Sequence, residues 1–183
     1  MNNREGSAAA QGIPLQLLLL DARGWATLSL CALLCLSPRL ALADPPVTGT
    51  ASVIDGDTIE IHGQRIRLHG IDAPESQQEC TRRDGTKWRC GQQAALALSN
   101  RIGRSAVRCD ARGRDRYGRL ISVCLKDTED LNRWMVANGW AVAYRKYSLD
   151  YVGDEELAKR AKLGIWSGSL EMPWDWRARE LKH

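Results

Sequence analysis

The chain is expected to fold as an α+β protein, a small closed β-barrel of five short strands that carries helices. Three observations lead there. The first half alternates apolar and polar residues with a period of two. Helical spacing begins only near residue 91. The order of elements is strands, a helix, two strands and two helices, which is not the βα alternation that builds a parallel sheet. The 183 residues suffice for one domain with a core. An apolar fraction of 44% and a charged fraction of 26% exclude a disordered chain, and a net charge of +4 leans only weakly toward an anionic partner.

Residues 1–43 read as a targeting segment and 44–183 as the folded domain. Trp25 to Leu36 is an uncharged apolar run of h-region length, preceded by Arg23. Ser37, Pro38 and then Ala41-Leu42-Ala43 follow, a small-x-small pattern that places cleavage after Ala43. The run is shorter than the roughly 20 residues of a comfortable membrane span, so an uncleaved anchor is the competing reading. The expected location is the periplasm or the exterior, with no stable membrane association once the signal is removed. Cysteine usage agrees. Four cysteines lie past the segment, Cys80, Cys90, Cys109 and Cys124, and an even count after an export signal reads as two disulfides. Three pairings exist; Cys80–Cys90 and Cys109–Cys124 are local and need no unusual geometry. A zinc site is the weaker alternative, because there is no C-x-x-C and the histidines available are His62, His69 and His183.

Val47 to Ile54 is strand-like, with Val47, Ala51 and Val53 on one parity. Asp55-Gly56-Asp57 interrupts it and Thr58 to Ile61 resumes, a hairpin-like start. Arg65 to Ile71 alternates, so Ile66 and Leu68 face a core and Arg67 faces the other way. Pro74 stops that ladder because it has no N–H to donate. Ser76 to Arg89 is polar and basic and reads as a surface loop. Gly91 to Ile102 is helical, with Ala95, Leu98 and Ile102 on one face. Ser105 to Cys109 and Leu120 to Leu125 are strands flanking a charged turn from Arg112 to Arg119. Asp130 to Asn138 is a short helix with Leu131, Trp134 and Met135 inward, stopped by Gly139. Gly153 to Leu163 is a third helix, with Leu157 and Ala161 on one side. A Trp-rich tail follows from about residue 168. Five short strands with an inserted helix suit a closed barrel of the OB type.

Four pieces could carry chemistry: Asp55-Gly56-Asp57-Thr58, Arg67, Asp72-Ala73-Pro74-Glu75, and Arg119. Phosphodiester hydrolysis needs a cation on the non-bridging oxygens, a group that positions water and a donor that stabilises developing charge. Asp57 and Asp72 are hard oxygen ligands suited to calcium. Glu75 lies three residues past Asp72 and can address a water beside the ion. Arg67 and Arg119 can grip a phosphate with planar guanidinium forks. Each piece has a plainer reading. Asp-Gly-Asp is a common turn, an outward strand arginine is usually solvated, and Arg119 could belong to an ordinary basic hairpin.

Together, V-I-D-G-D-T-I, R-I-R-L-H-G-I-D-A-P-E, R-D-R-Y-G-R-L, D-L-N-R-W-M-V-A-N-G-W-A and A-K-L-G-I-W resemble the staphylococcal nuclease (thermonuclease) family, in order, over about Val47 to Ser167. The resemblance implies an OB-fold, a five-stranded barrel with three helices, one calcium ion (Ca2+), and cleavage of DNA and RNA to 3′-phosphate products. It implies Asp57 and Asp72 as calcium carboxylates and the carbonyl of Ala73 as a further ligand, where the family has threonine. Glu75 matches the glutamate assigned to water activation. Arg67 and Arg119 match the phosphate-binding arginines. Asp55 matches an aspartate near the metal that is not a direct ligand. Tyr117 and Tyr144 match aromatics of the nucleotide pocket.

Two departures stand out. The loop from Ser76 to Arg89 is longer than the family's usual loop and carries Cys80. A second pocket tyrosine expected two residues after Tyr144 is replaced by Lys146, with Tyr147 one step on. The reading is therefore an exported monomeric calcium-dependent nuclease acting on single-stranded or unpaired DNA and RNA. The rivals are a non-catalytic nucleic-acid-binding OB module, which has no need of Glu75, and a structural envelope protein.

Overall fold

The computed structural model describes residues 44–182. The expected targeting segment and its cleavage site lie outside the described residues. In chain order the strands are β1 (Val47–Thr50), β2 (Ser52–Asp55), β3 (Thr58–Ile61), β4 (Gln64–Leu68), β5 (Ile71–Asp72), β6 (Cys80–Arg82), β7 (Lys87–Trp88), β8 (Ala106–Arg114), β9 (Leu120–Lys126), β10 (Glu129–Asp130), β11 (Val142–Ala143) and β12 (Gly168–Ser169). The α-helices are α1 (Cys90–Ile102), α2 (Leu131–Ala137), α3 (Val152–Ala161) and α4 (Pro173–Glu180), and a 3-10 turn spans Gly164–Ser167.

The main sheet runs β1-β8-β9-β4-β3-β2, with β10 against β9. Its pairs are antiparallel except β4 with β9, where Arg67 stands opposite Ile121. This curled sheet with its helices is the OB-type α+β barrel. Alternation decides which face is inside: Ile59, Ile61, Ile66 and Leu68 are fully buried, joined by Leu98 and Ile102 of α1 and by Leu131 and Met135 of α2. Each such side chain contributes about 1.5–3 kcal/mol by leaving water. Asp130 caps α2 by accepting from the Arg133 N–H.

Both local disulfides are present, Cys80–Cys90 and Cys109–Cys124. Cys109 and Cys124 are direct partners across β8 and β9, so the second bridge ties neighbouring strands inside the core. The first belongs to a smaller apolar cluster with Val142 and Ile165, against which Trp88, Leu170, Met172 and Trp174 pack.

Three local expectations change. The segment Ser76 to Arg89 is not a plain surface loop: it forms the β6–β7 hairpin, and Gln78 and Cys80 are buried. In α1 the buried line runs through Ala94 and not Ala95, one step along the same face. In α3, Leu157 is 58% exposed and the buried positions are Glu155 and Ala158. An ion-paired glutamate takes the inward place that periodicity assigned to apolar residues. The Trp-rich tail carries structure of its own. It adds β12 to β6, pairing Gly168 with Arg82 and Ser169 with Thr81, and then forms α4.

Candidate active site

Asp57 sits at the end of the turn before β3, where the Asp55 carboxylate accepts its N–H at 3.0 Å. Gly56 makes this turn possible for a packing reason: a Cβ there would lie 2.7 Å from that of Ala73. The turn therefore rests on the segment that follows Asp72, and the Ala73 N–H donates to Asp57 Oδ2 at 2.9 Å. Thr58 Oγ1 donates to Asp57 Oδ1 at 3.1 Å.

Arg67 stands on β4 opposite Thr58 of β3. Its outward parity does not leave it solvated. Nη1 donates to Asp57 Oδ1 at 2.5 Å and Nη2 to Asp72 Oδ1 at 2.6 Å, so one guanidinium bridges both carboxylates. Asp57 is 3% exposed and Asp72 fully buried. Burial pushes the Asp57 carboxyl above the usual aspartate range, with Arg67 opposing, and does the same to Asp72, with Arg177 and Arg67 opposing. For Arg67, burial works against the charge, but the two carboxylates outweigh it and hold the pKa above the ordinary arginine value.

Glu75 is fixed by its backbone. Its N–H donates to Gln78 Oε1 at 3.2 Å and its carbonyl accepts from the Gln78 N–H at 2.7 Å. Gly91, at the start of α1, lies against that carbonyl so closely that a Cβ would sit 1.7 Å from the oxygen. Any side chain at 91 would displace the loop that carries Glu75. The buried Gln78 also donates through Nε2 to the Glu171 carbonyl at 2.7 Å, joining this loop to the segment leading into α4.

Sequence reasoning did not single out Gln78, and it also missed Arg177. From α4, Arg177 Nη2 donates to Asp72 Oδ2 at 2.8 Å, and Nη1 donates to Asp72 Oδ1 at 3.1 Å and to Glu75 Oε1 at 2.6 Å. Its pKa lies above the ordinary arginine value: burial opposes the charge, but the hydrogen bonds to Asp72 and Glu75 prevail. The helix itself had signals in Pro173 at its first turn, Asp175 beside it and Arg177 and Arg179 in the last turn. Its destination had none.

The structure thus brings Asp57, Arg67, Asp72, Ala73 and Glu75 together. It does not bring Arg119 onto this cluster. Arg119 Nε donates to Asp115 Oδ2 at 2.7 Å, and its N–H and that of Tyr117 donate to Asp115 Oδ1. Tyr117 is 69% exposed, with the Arg119 guanidinium 5.6 Å from its ring centroid. Tyr144 is half-buried between Tyr147, edge-on at 4.9 Å, and Trp174, stacked at 5.5 Å.

Among the described residues, no three His, Cys, Asp or Glu side chains converge as a metal cage. Asp57 and Asp72 nevertheless fit a hard cation. Both are buried oxygen donors whose charge is costly without a positive partner, and a backbone carbonyl and solvent can complete an oxygen shell.

The model of the family described as Staphylococcal nuclease homologue matches residues 65–168. The chain belongs to that family. A relative in Rhizobium meliloti (strain 1021), named succinoglycan biosynthesis protein ExoI, is 42% identical over 132 residues, 70% of this chain and 69% of the relative. An uncharacterized endonuclease of Escherichia coli O157:H7 is 35% identical over 136 residues, covering 70% and 82%. A micrococcal nuclease of Shigella flexneri is 32% identical over 143 residues, covering 68% and 76%. This member of the nuclease family is a nuclease-type hydrolase with nucleic acid as its substrate class. The family match ends at residue 168, before α4, so Arg177 lies outside it.

Proposed function

We propose that the protein is an exported, calcium-dependent nuclease that hydrolyses DNA and RNA, acts as a monomer and prefers single-stranded or unpaired segments. The observation that carries the reading is the convergence of Asp57, Asp72 and Arg67, with Glu75 three residues beyond Asp72 on a pinned loop. Two disulfides support an oxidising compartment.

Asp57 and Asp72, with the carbonyl of Ala73, would hold the calcium ion. When bound, it would neutralise non-bridging phosphate oxygens and polarise the phosphorus as a Lewis acid. Glu75 orients the attacking water and accepts its proton as the new P–O bond forms and the P–O bond to the leaving oxygen breaks. Arg67 turns one fork from its carboxylates to the phosphate and stabilises the charge gathering on it. Arg119, held by Asp115 on its turn, would supply a second guanidinium to the phosphate once substrate is bound. Tyr117 offers an exposed face on which an unpaired base can pack, and Tyr144, stacked on Trp174, would take part through the edge of that aromatic group.

Incubation with plasmid DNA, a single-stranded oligonucleotide and RNA, in calcium and in chelator, tests this. Degradation of all three in calcium, fastest for the unpaired strands, and none in chelator is the expected result. Salt-sensitive binding without cleavage would favour the non-catalytic module instead.

A further inference from the structure

The C-terminal helix delivers a second cation to the carboxylates that are proposed to bind the metal. Asp72 has both oxygens engaged by guanidinium groups, Oδ1 by Arg67 and Arg177 and Oδ2 by Arg177. Glu75 has Oε1 engaged by Arg177 as well. Three carboxylates, Asp57, Asp72 and Glu75, therefore face two arginines. A divalent cation placed on Asp72 within the reach of Arg177 would meet a fixed positive charge at a few ångströms and a carboxylate three of whose roughly four acceptor sites are already engaged.

The two halves of α4 are held differently. Its approach is anchored by the β12–β6 pairing, by the Gln78–Glu171 hydrogen bond, and by Leu170, Met172 and Trp174 packed on the cluster around Cys80–Cys90. Pro173 is the one buried residue of the helix. Past Trp176 the other ion pairs stay within the segment, from Arg179 to Glu171 and Glu180. Arg177 is thus the polar tie that holds the last turns of α4 to the barrel. With so little burial, that end is held chiefly by the Arg177 contact, and a cation that replaces Arg177 at Asp72 lets it open.

Resting on the calcium reading, we propose that Arg177 is a built-in counter-cation that competes with the divalent ion for Asp72 and Glu75. Helix α4 then acts as a strap whose end lies over these carboxylates and lets go when calcium binds. Arg177 neutralises carboxylates that would otherwise repel one another, and it frees Glu75 for water only when the ion replaces it. Binding of calcium and docking of Arg177 are linked with negative sign, and linkage requires each to weaken the other by the same factor.

The test is calorimetric titration of calcium into the full chain and its Arg177→Ala variant, with hydrogen exchange of both measured in chelator and in calcium. Arg177→Ala is expected to bind calcium more tightly, by a factor within about 5–150. Equal or weaker calcium binding by the variant would overturn the proposal, since a residue that merely arranges Asp72 and Glu75 for the ion would weaken binding when lost. In the unaltered protein, calcium is expected to speed exchange at the amides of residues 177–182. Unchanged or slower exchange there would overturn the strap even if the variant failed to fold. Absence of calcium binding in both proteins would instead defeat the metal reading, and this inference with it.

Discussion

Arg177 grips Asp72 through both terminal nitrogens, at 2.8 and 3.1 Å, across 105 residues of chain. A paired, two-pronged contact of this kind is among the stronger ionic interactions a protein makes. Here it joins the last helix to the most deeply buried carboxylate of the site.

Stability should respond to ligands. Two buried aspartates whose charge is opposed by burial gain from a cation, and mass action converts that gain into stability. Calcium is expected to raise the melting temperature, and a nucleotide 3′,5′-bisphosphate to raise it further. At 100 times Kd each contributes about 2.7 kcal/mol. Scanning calorimetry with and without each ligand checks this.

Arg67→Lys keeps the charge but cannot bridge Asp57 and Asp72 with one planar fork. Turnover is expected to fall on the order of 10²-fold or more, as when a transition-state donor is lost. Steady-state kinetics on an oligonucleotide measure it, with circular dichroism to confirm the fold.

Asp115 makes three hydrogen bonds to the turn that carries Arg119. Asp115→Ala should leave the barrel folded while freeing the Arg119 side chain. A mispositioned phosphate donor is expected to cost up to about 10²-fold in kcat/KM. Unchanged kcat/KM would remove Arg119 from the site.

Glu155 is buried yet charged. Burial would raise its pKa, but hydrogen bonds from Arg145, Lys159 and the Ala143 N–H outweigh burial and hold it below the ordinary glutamate value of 4.5. A depressed carboxylate stabilises the fold above its unfolded pKa, and that stability is lost as pH falls through the folded one. Glu155→Gln should therefore lower the melting temperature near neutral pH, with the difference shrinking as pH drops below 4.5. Melting curves across pH measure the convergence.

Reduction of the disulfides should lower the melting temperature without abolishing the fold. Cys109–Cys124 closes a separation of 15 residues, worth roughly 3 kcal/mol in the chain-entropy model. The apolar burial of Ile59, Ile66, Leu120 and Met135 around it is expected to hold the barrel together without the bridge. Thermal melts with and without reductant separate the two contributions.

The local parts of the site were legible because short motifs carry them. Asp57 follows a turn, Arg67 lies on the paired strand opposite Thr58, and Asp72 ends the next ladder, so alternation and turn chemistry place all three. Arg119 was legible as a residue but not as a contact, since its partner Asp115 is in its own turn. Leu157 was misread because periodicity treats a buried position as apolar, whereas Glu155 fills it with three polar partners. Gln78 and Arg177 left no trace in local pattern. Their roles come from β12 joining β6 and from a hydrogen bond spanning 93 residues, which no spacing within a segment encodes.

Asp57, Asp72 and Glu75 are proposed to run a calcium-dependent hydrolysis. The most direct measurement is cleavage of a labelled single-stranded oligonucleotide by the unaltered protein and by Glu75→Gln, each in calcium and in chelator. Cleavage is expected from the unaltered protein in calcium alone, with a loss on the order of 10²-fold or more in the folded variant, as for a general acid–base group. Cleavage that survives the chelator, or equal turnover in Glu75→Gln, would contradict it.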